Sequence, residues 1–271
     1  EADEEQPITA PVVRDIYGLE SENVTIGWRL PGSLDESNLV GGLASSVFYN
    51  GMAGLVDKDL IQTQKVLSLY GGINTQPDYS MFLIQGRPKN GQTLEEIKAL
   101  ALEEVAKLKA GDFEESLVKA SINQYISQQM GVLESNRSRA LAFAYSFIAK
   151  EDWADNVASL DKIAKVTKED IVAWANQYLG EENYACIYKR KGEDKTIKKI
   201  SAPAITPIAT NRDKVSAFVQ EIQAAEVKPI EPVFVNFSKE MSTKKLSEGC
   251  ELLYKKKEIN DLFSLQYRFN V

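Results

Sequence analysis

The stretch KIAKVTKEDIVAWANQYLGEENYACIYKR (162–190) decides the fold reading. Thr167 can cap a helix, with Asp170 three residues on. Ile171, Ala175 and Tyr178 then recur at helical spacing, and Gly180 ends the run. Tyr184 to Lys189 follows as a strand rich in aromatic and apolar residues. A capped amphipathic helix that feeds a closing strand is the last unit of a layered α/β arrangement.

The sequence upstream supplies the rest of that arrangement. Thr93 and Glu96 have capping-box spacing ahead of Leu94, Ile97, Ala101, Val105 and Leu108, which share one helical face up to Gly111. Asp112 and Glu115 offer a second box for a helix carrying Phe113, Leu117, Ala120 and Ile126, stopped at Gly131. Residues 133 to 149 predict a third helix through Leu133, Ala140, Leu141, Ala144, Phe147 and Ile148, and Trp153, Val157, Leu160 and Ile163 a fourth. Nearer the start, Val12–Tyr17 and Val24–Leu30 read as strands, the second ended by Pro31-Gly32. Asp35 or Ser33 caps a helix with Leu39, Leu43, Val47 and Phe48, closed by Asn50-Gly51. Asp57–Leu67 predicts a short second helix. Ser68–Thr75, with Gly71-Gly72 inside it, and Tyr79–Arg87 read as strands about a Pro77-Asp78 turn.

The composition changes near residue 190. Residues 191–240 have linker character, with Pro203 and Pro207 among small residues and one helix predicted over 211–226. Residues 241–271 turn to strands, Cys250–Lys255 and Leu262–Val271, and read as the truncated start of a following domain. The chain begins at Glu1 rather than Met and stops inside an apolar alternation, so both ends read as cuts. The organisation expected is therefore a domain over 11–190, a linker over 191–240 and a partial domain over 241–271.

Composition excludes several chemistries. There is no histidine in 271 residues, so no Ser-His-Asp triad, Cys-His pair or histidine-ligated zinc motif can be built. Cys186 and Cys250 fall on different predicted strands and read as separate thiols, a single disulfide being the alternative. No phosphate-binding loop of the P-loop or dinucleotide type occurs. A formal charge of −7 argues against nucleic acid as a partner. No apolar run is long enough to span a membrane, and no signal segment precedes the fold. The adjacent acids Glu95-Glu96, Glu103-Glu104 and Glu114-Glu115 invite a carboxylate-only active site, but solvated helix faces account for them. Lys255-Lys256-Lys257 reads as a solvated turn or an anion contact. Lys189-Arg190-Lys191 with Lys198-Lys199 reads as linker solubility or a domain contact. Arg137 and Arg139 read as salt-bridged surface or as a grip on a partner's carboxylate. Phe143, Tyr145, Phe147 and Trp153 read as core rather than as a ligand cage.

Five stretches together resemble the insulinase/pitrilysin (inverzincin) family of zinc metallopeptidases. They are ENVTIGWRLPG (22–32), GGLASSVFYNGMAGLV (41–56), YGGINTQPDYSMFLIQGRPKNGQTLEEIKALALEEVAKLKAG (70–111), DFEESLVKASINQYISQQ (112–129) and residues 162–190. The resemblance implies an α+β fold, a mostly antiparallel sheet with helices packed on one face. In that family one domain carries the histidine motif, binds Zn2+ and activates water. A second domain of similar fold lacks the motif and walls the peptide chamber. The resemblance places this chain as that second domain, followed by the inter-half linker and the opening strands of the third. It implies no catalytic or metal residue here, and substrate-binding residues are unassigned. Tyr70 has no accompanying arginine, so the family's substrate-contacting pair is not carried over to it. Implied partners are the catalytic domain of the same polypeptide, where Zn2+ is expected, and the peptides it degrades. The alternatives are an inactive scaffold or processing subunit of the same fold, and an independent carboxylate-dependent hydrolase.

Overall fold

The computed structural model describes residues 5–195, 202, 204–208, 210, 212 and 214–269. The chain divides into two units, Glu1–Thr196 and Ile197–Val271. The first begins with β1 (Val12–Gly18), β2 (Asn23–Pro31) and α1 (Ser37–Phe48), then a π-helical turn (Asp57–Ile61), β3 (Ser68–Asn74) and β4 (Tyr79–Arg87). Five helices follow: α2 (Leu94–Ala110), α3 (Glu115–Val132), α4 (Asn136–Ala149), α5 (Trp153–Ile163) and α6 (Lys168–Tyr178). Strand β5 (Tyr184–Lys191) closes the unit. The sheet order is β1-β5-β2-β4-β3. Only β1 and β5 are parallel; β2–β5, β2–β4 and β3–β4 are antiparallel. The α+β architecture is thus as expected.

Strand alternation puts the core on one side of this sheet. In β2 the residues Val24, Ile26, Trp28 and Leu30 are buried, and in β4 Ser80, Phe82 and Ile84. The helices meet them with Leu43, Val47 and Phe48 from α1, Ile97, Ala101 and Leu108 from α2, and Ile171, Trp174 and Ala175 from α6. Two helix starts form full capping boxes, Thr93 with Glu96 and Thr167 with Asp170. The small residues of α1 have a steric cause: a Cβ on Gly41 would lie 2.7 Å from Cζ2 of Trp174. Ser45 ties α1 to the sheet edge, its hydroxyl accepting from the Ile73 amide at 2.9 Å.

Several local expectations change. The Asp112–Glu115 box does not form. Asp112 instead completes the end of α2, its amide donating to the Lys107 carbonyl, and Phe113 is buried before α3 begins. Glu36 directly precedes α1 and makes no side-chain cap, whereas Asp35, one of the two expected caps, does serve the helix start, its Oδ1 accepting from the Ser37 amide at 2.9 Å. Asp57–Leu67 is not a helix beyond its π turn, because Gln64 takes a left-handed φ of 54° and turns the chain toward β3. Lys189, Arg190 and Lys191 belong to β5 rather than to a linker. Lys198 and Lys199 lie outside the described residues.

In the second unit α7 (Ala217–Ala224) is shorter than the helix predicted over 211–226. It is followed by α8 (Phe237–Glu240) and a hairpin of β6 (Ser242–Ser247) and β7 (Cys250–Tyr254). No residue of these elements is buried. The strand predicted over Leu262–Val271 is not formed across its described part, residues 262–269, which joins no ladder. Cys186 is buried and Cys250 exposed, and both are free.

One buried charge sets a pH dependence. Glu104 is 1% exposed; its Oε1 lies 2.9 Å from Nζ of Lys107, while its Oε2 has no partner. Burial pushes the Glu104 carboxyl up, more than Lys107 pulls it down. Lys107 is itself held above the ordinary lysine range, chiefly by Asp59 at 2.6 Å. That upward pull speaks for the Lys107–Asp59 pair; the half-satisfied Glu104 decides the sign for its own titration. Because its folded pKa exceeds the unfolded one, its contribution is fully present at low pH and falls as pH rises through the folded value. Glu104→Gln is therefore expected to melt at or above the wild type near about pH 8 and to lose that advantage near about pH 4. A Glu104→Gln protein less stable than wild type at both pH values would refute this assignment.

Candidate functional site: the open face of the sheet

Helices cover one face of the sheet, and the other is left open. On that open face β2 presents Thr25, Gly27 and Arg29, opposite Gln85, Leu83 and Met81 of β4. On its other side β2 faces Ile187 and Ala185 of β5. Met81, Leu83, Ala185 and Ile187 make an apolar floor where a solvated sheet would carry polar residues. Gly27 belongs to this floor, since a Cβ there would stand 2.8 Å from Cδ2 of Leu83. The floor underlies a depression of about 420 Å³ that is also lined by Glu5, Gln6, Ile8 and Tyr79.

Polar groups bound the floor on two sides. Tyr70 on β3 bonds through its hydroxyl to Oε1 of Gln85. Nε2 of Gln85 donates to Oγ1 of Thr25 at 3.2 Å. At the other end the Arg29 guanidinium lies 5.0 Å from the Tyr79 ring centroid. Its Nη1 is 2.8 Å from Oε2 of Glu5, and its Nη2 donates to the Gln6 carbonyl at 3.0 Å. The register also sorts charge. Arg14, Arg29, Arg87 and Lys189 stand on open-face positions, and no strand position of this face carries a carboxylate.

The acid pairs do not converge into a site. Glu95 turns to Arg190, which holds its carboxyl below the ordinary range, and Glu96 caps α2. Glu103 is exposed while Glu104 is buried. Glu114 precedes α3 without capping it, and Glu115 pairs with Lys119 at 3.3 Å. Among the described residues no group of three or more His, Cys, Asp or Glu side chains is placed to hold a metal ion. With no histidine in the sequence, the chain's donors do not fit a family-type zinc centre.

A second surface stands out on α4. Ser138, Ala142 and Ser146 form its inward side, of which Ser146 is buried. Leu141, Phe143, Tyr145, Phe147 and Ile148 are exposed, Phe147 by 84%. The aromatic set expected in the core is therefore largely outside, with Phe143 tilted against Trp153 at 4.2 Å between ring centroids. Arg139 bonds to Asn136, within α4, and Arg137 is exposed on the same helix. Lys255 pairs with Glu240 at 2.6 Å rather than standing as a free turn charge.

Sequence reading missed Arg29, Met81, Leu83 and Ile187 as a site. The available signal was YSMFLIQGR (79–87), which is apolar on both faces of the strand; half of it was bound to need a second cover.

Residues 2–125 match the family model described as the peptidase M16 inactive domain. No curated protein matches the chain. Among solved structures, a protease from Helicobacter pylori is 15% identical with a TM-score of 0.65, over 68% of this chain and 45% of that one. The inactive peptidase domain of a protein described as a zinc protease from Bordetella parapertussis is 16% identical with a TM-score of 0.55, over 63% of this chain and 93% of that one. A peptidase M16 inactive domain from Pseudomonas fluorescens is 13% identical with a TM-score of 0.59, over 72% and 46%. At these identities the likeness speaks for the fold. The chain spans less than half the length of the Helicobacter and Pseudomonas chains. Among the described residues no helix is long and apolar enough to cross a membrane.

Proposed function

We propose that this chain, whose residues 2–125 belong to the M16 peptidase family as its inactive domain, forms a non-catalytic wall of the chamber of a zinc-dependent metallopeptidase. The observation that carries the reading is the open sheet face. An inactive-domain fold has an apolar, basic-rimmed sheet face that no helix covers, and the chain carries no histidine with which to bind zinc. A wall needs such a surface and no metal. The Zn2+ and the general base would be supplied by a catalytic domain of the same polypeptide. The outward Leu141, Tyr145, Phe147 and Ile148 of α4 suit burial against such a domain. Residues 11–190 then make up the wall domain, which β5 carries on to Lys191, and the linker runs from there to residue 240. Residues 241–271 open a following domain, since a lone hairpin such as β6–β7 is marginal in water.

The test is a fluorogenic peptide library incubated with this chain and, separately, with its full-length parent. The chain alone is expected to give no zinc-dependent hydrolysis. The parent is expected to hydrolyse peptides, to stop on chelation and to recover with Zn2+. Zinc-dependent cleavage by the chain alone would sink the proposal. A parent inert with bound zinc would favour the inactive scaffold.

A further inference from the structure

We propose that the open face is a binding site for an extended acidic peptide that places an aliphatic side chain on the apolar floor, and that residues 5–8 of the chain are its built-in occupant. The chemistry of the face defines the ligand. Its charged strand positions are all basic, although the whole chain carries a net charge of −7. Such segregation attracts acidic chains and repels basic ones. The Arg29 side chain is 24% exposed and braced on Tyr79, so its fork is held ready for a carboxylate.

The chain's own segment shows how the site is filled. EADEEQPI (1–8) is rich in acids. Glu5 places its carboxylate on Nη1 of Arg29, and the next residue gives Nη2 its backbone carbonyl. Pro7 favours an extended path from there. Ile8 then lines the depression and is the one half-buried residue among the described residues of this segment. Carboxylate, backbone acceptor and aliphatic side chain arrive in the order that the rim and floor accept them. A competing peptide must displace this strap, so its apparent affinity is reduced by the fraction of time the strap is seated.

The proposal rests on the reading of this domain as a peptide-facing wall, and its test is separate from hydrolysis. Two fluorescein-labelled probes, EADEEQPIT and its charge-reversed counterpart KAKKKQPIT, are titrated by anisotropy against the full chain and its Glu5→Lys/Ile8→Asp variant. Glu5 is exposed and Ile8, although half-buried, stands outside the hydrophobic core, so folding is retained. The acidic probe is expected to bind the unseated variant about tenfold more tightly than the wild type. That binding should weaken about tenfold between about 50 and about 500 mM salt. Adding Arg29→Gln, or Arg14→Glu with Arg87→Glu at the exposed rim, should weaken it by a further factor of about ten. Equal binding of the two probes, or no gain on unseating the strap, would overturn the proposal. If that happened while the parent cleaved peptides with zinc, the site would be wrong and the wall would stand.

Discussion

Phe82→Ala is expected to destabilise the first unit by about 3–5 kcal/mol, the range for emptying a well-packed aromatic site. Phe82 is 0% exposed and stands at the centre of the core face of β4. Three rings from three elements close on it: Trp28 of β2 at 6.2 Å, Phe48 of α1 at 5.6 Å and Trp174 of α6 at 5.9 Å between centroids. These neighbours are held from elsewhere, so the void cannot collapse easily. Nε1 of Trp28 is fixed to the Gly180 carbonyl at 2.9 Å, and Trp174 is pressed against Gly41. Against a total stability of about 5–15 kcal/mol the loss is severe. Urea unfolding followed by the fluorescence of Trp28 and Trp174 measures it. The control is the next residue, Leu83, which faces the other way onto the half-covered floor. Leu83→Ala should cost only about 1 kcal/mol, because part of its surface is already wet. Equal losses at the two positions would mean that the sheet is buried on both sides and that the open face is misassigned.

That contrast also marks how far the sequence could be read. Alternation in VTIGWRL identified β2, and the spacing of Thr93 with Glu96 and of Thr167 with Asp170 identified two helix starts, because those signals are local. Asp112 with Glu115 has the same spacing and fails, because Asp112 is already committed to ending α2. Helical periodicity shows which residues of α4 share a side, not which side turns inward. Here Ser138, Ala142 and Ser146 turn inward, and the large apolar residues are left outside. Long-range pairing was beyond local reading altogether. Arg29 meets a carboxylate 24 residues away, and Arg190 meets Asp15 and Glu95 from opposite ends of the unit. The open face exists only through such pairings. Its register joins β2, β4 and β5, which are far apart in the chain, so its charge sorting becomes visible only once the sheet is assembled.

Asp57→Ala is expected to cost about 3 kcal/mol, although it removes no core side chain. Asp57 is 3% exposed, and its Oδ2 accepts from the amides of Asn50, Gly51 and Gly54, each at 3.0 Å. One oxygen thus organises the connection from α1 to the π turn, supported by Asn50, whose Oδ1 accepts from Met52 and Ala53. Alanine leaves three donors without a partner. The Gly54 amide is buried and bears a full desolvation penalty of about 1–3 kcal/mol, while those of Asn50 and Gly51 are nearer water and cost less. Asp57→Asn keeps an acceptor oxygen in place and should lose only about 1–2 kcal/mol, the difference between a charged and a neutral acceptor. Hydrogen exchange separates the two explanations residue by residue. In Asp57→Ala the Gly54 amide should lose protection well before the amides of β2 and β4 do. If Asp57→Asn were as damaging as Asp57→Ala, the negative charge rather than the acceptor geometry would be what holds the loop. If neither variant changed stability by more than about 0.5 kcal/mol, as at an ordinary surface position, the loop would be shown to stand without its buried carboxylate.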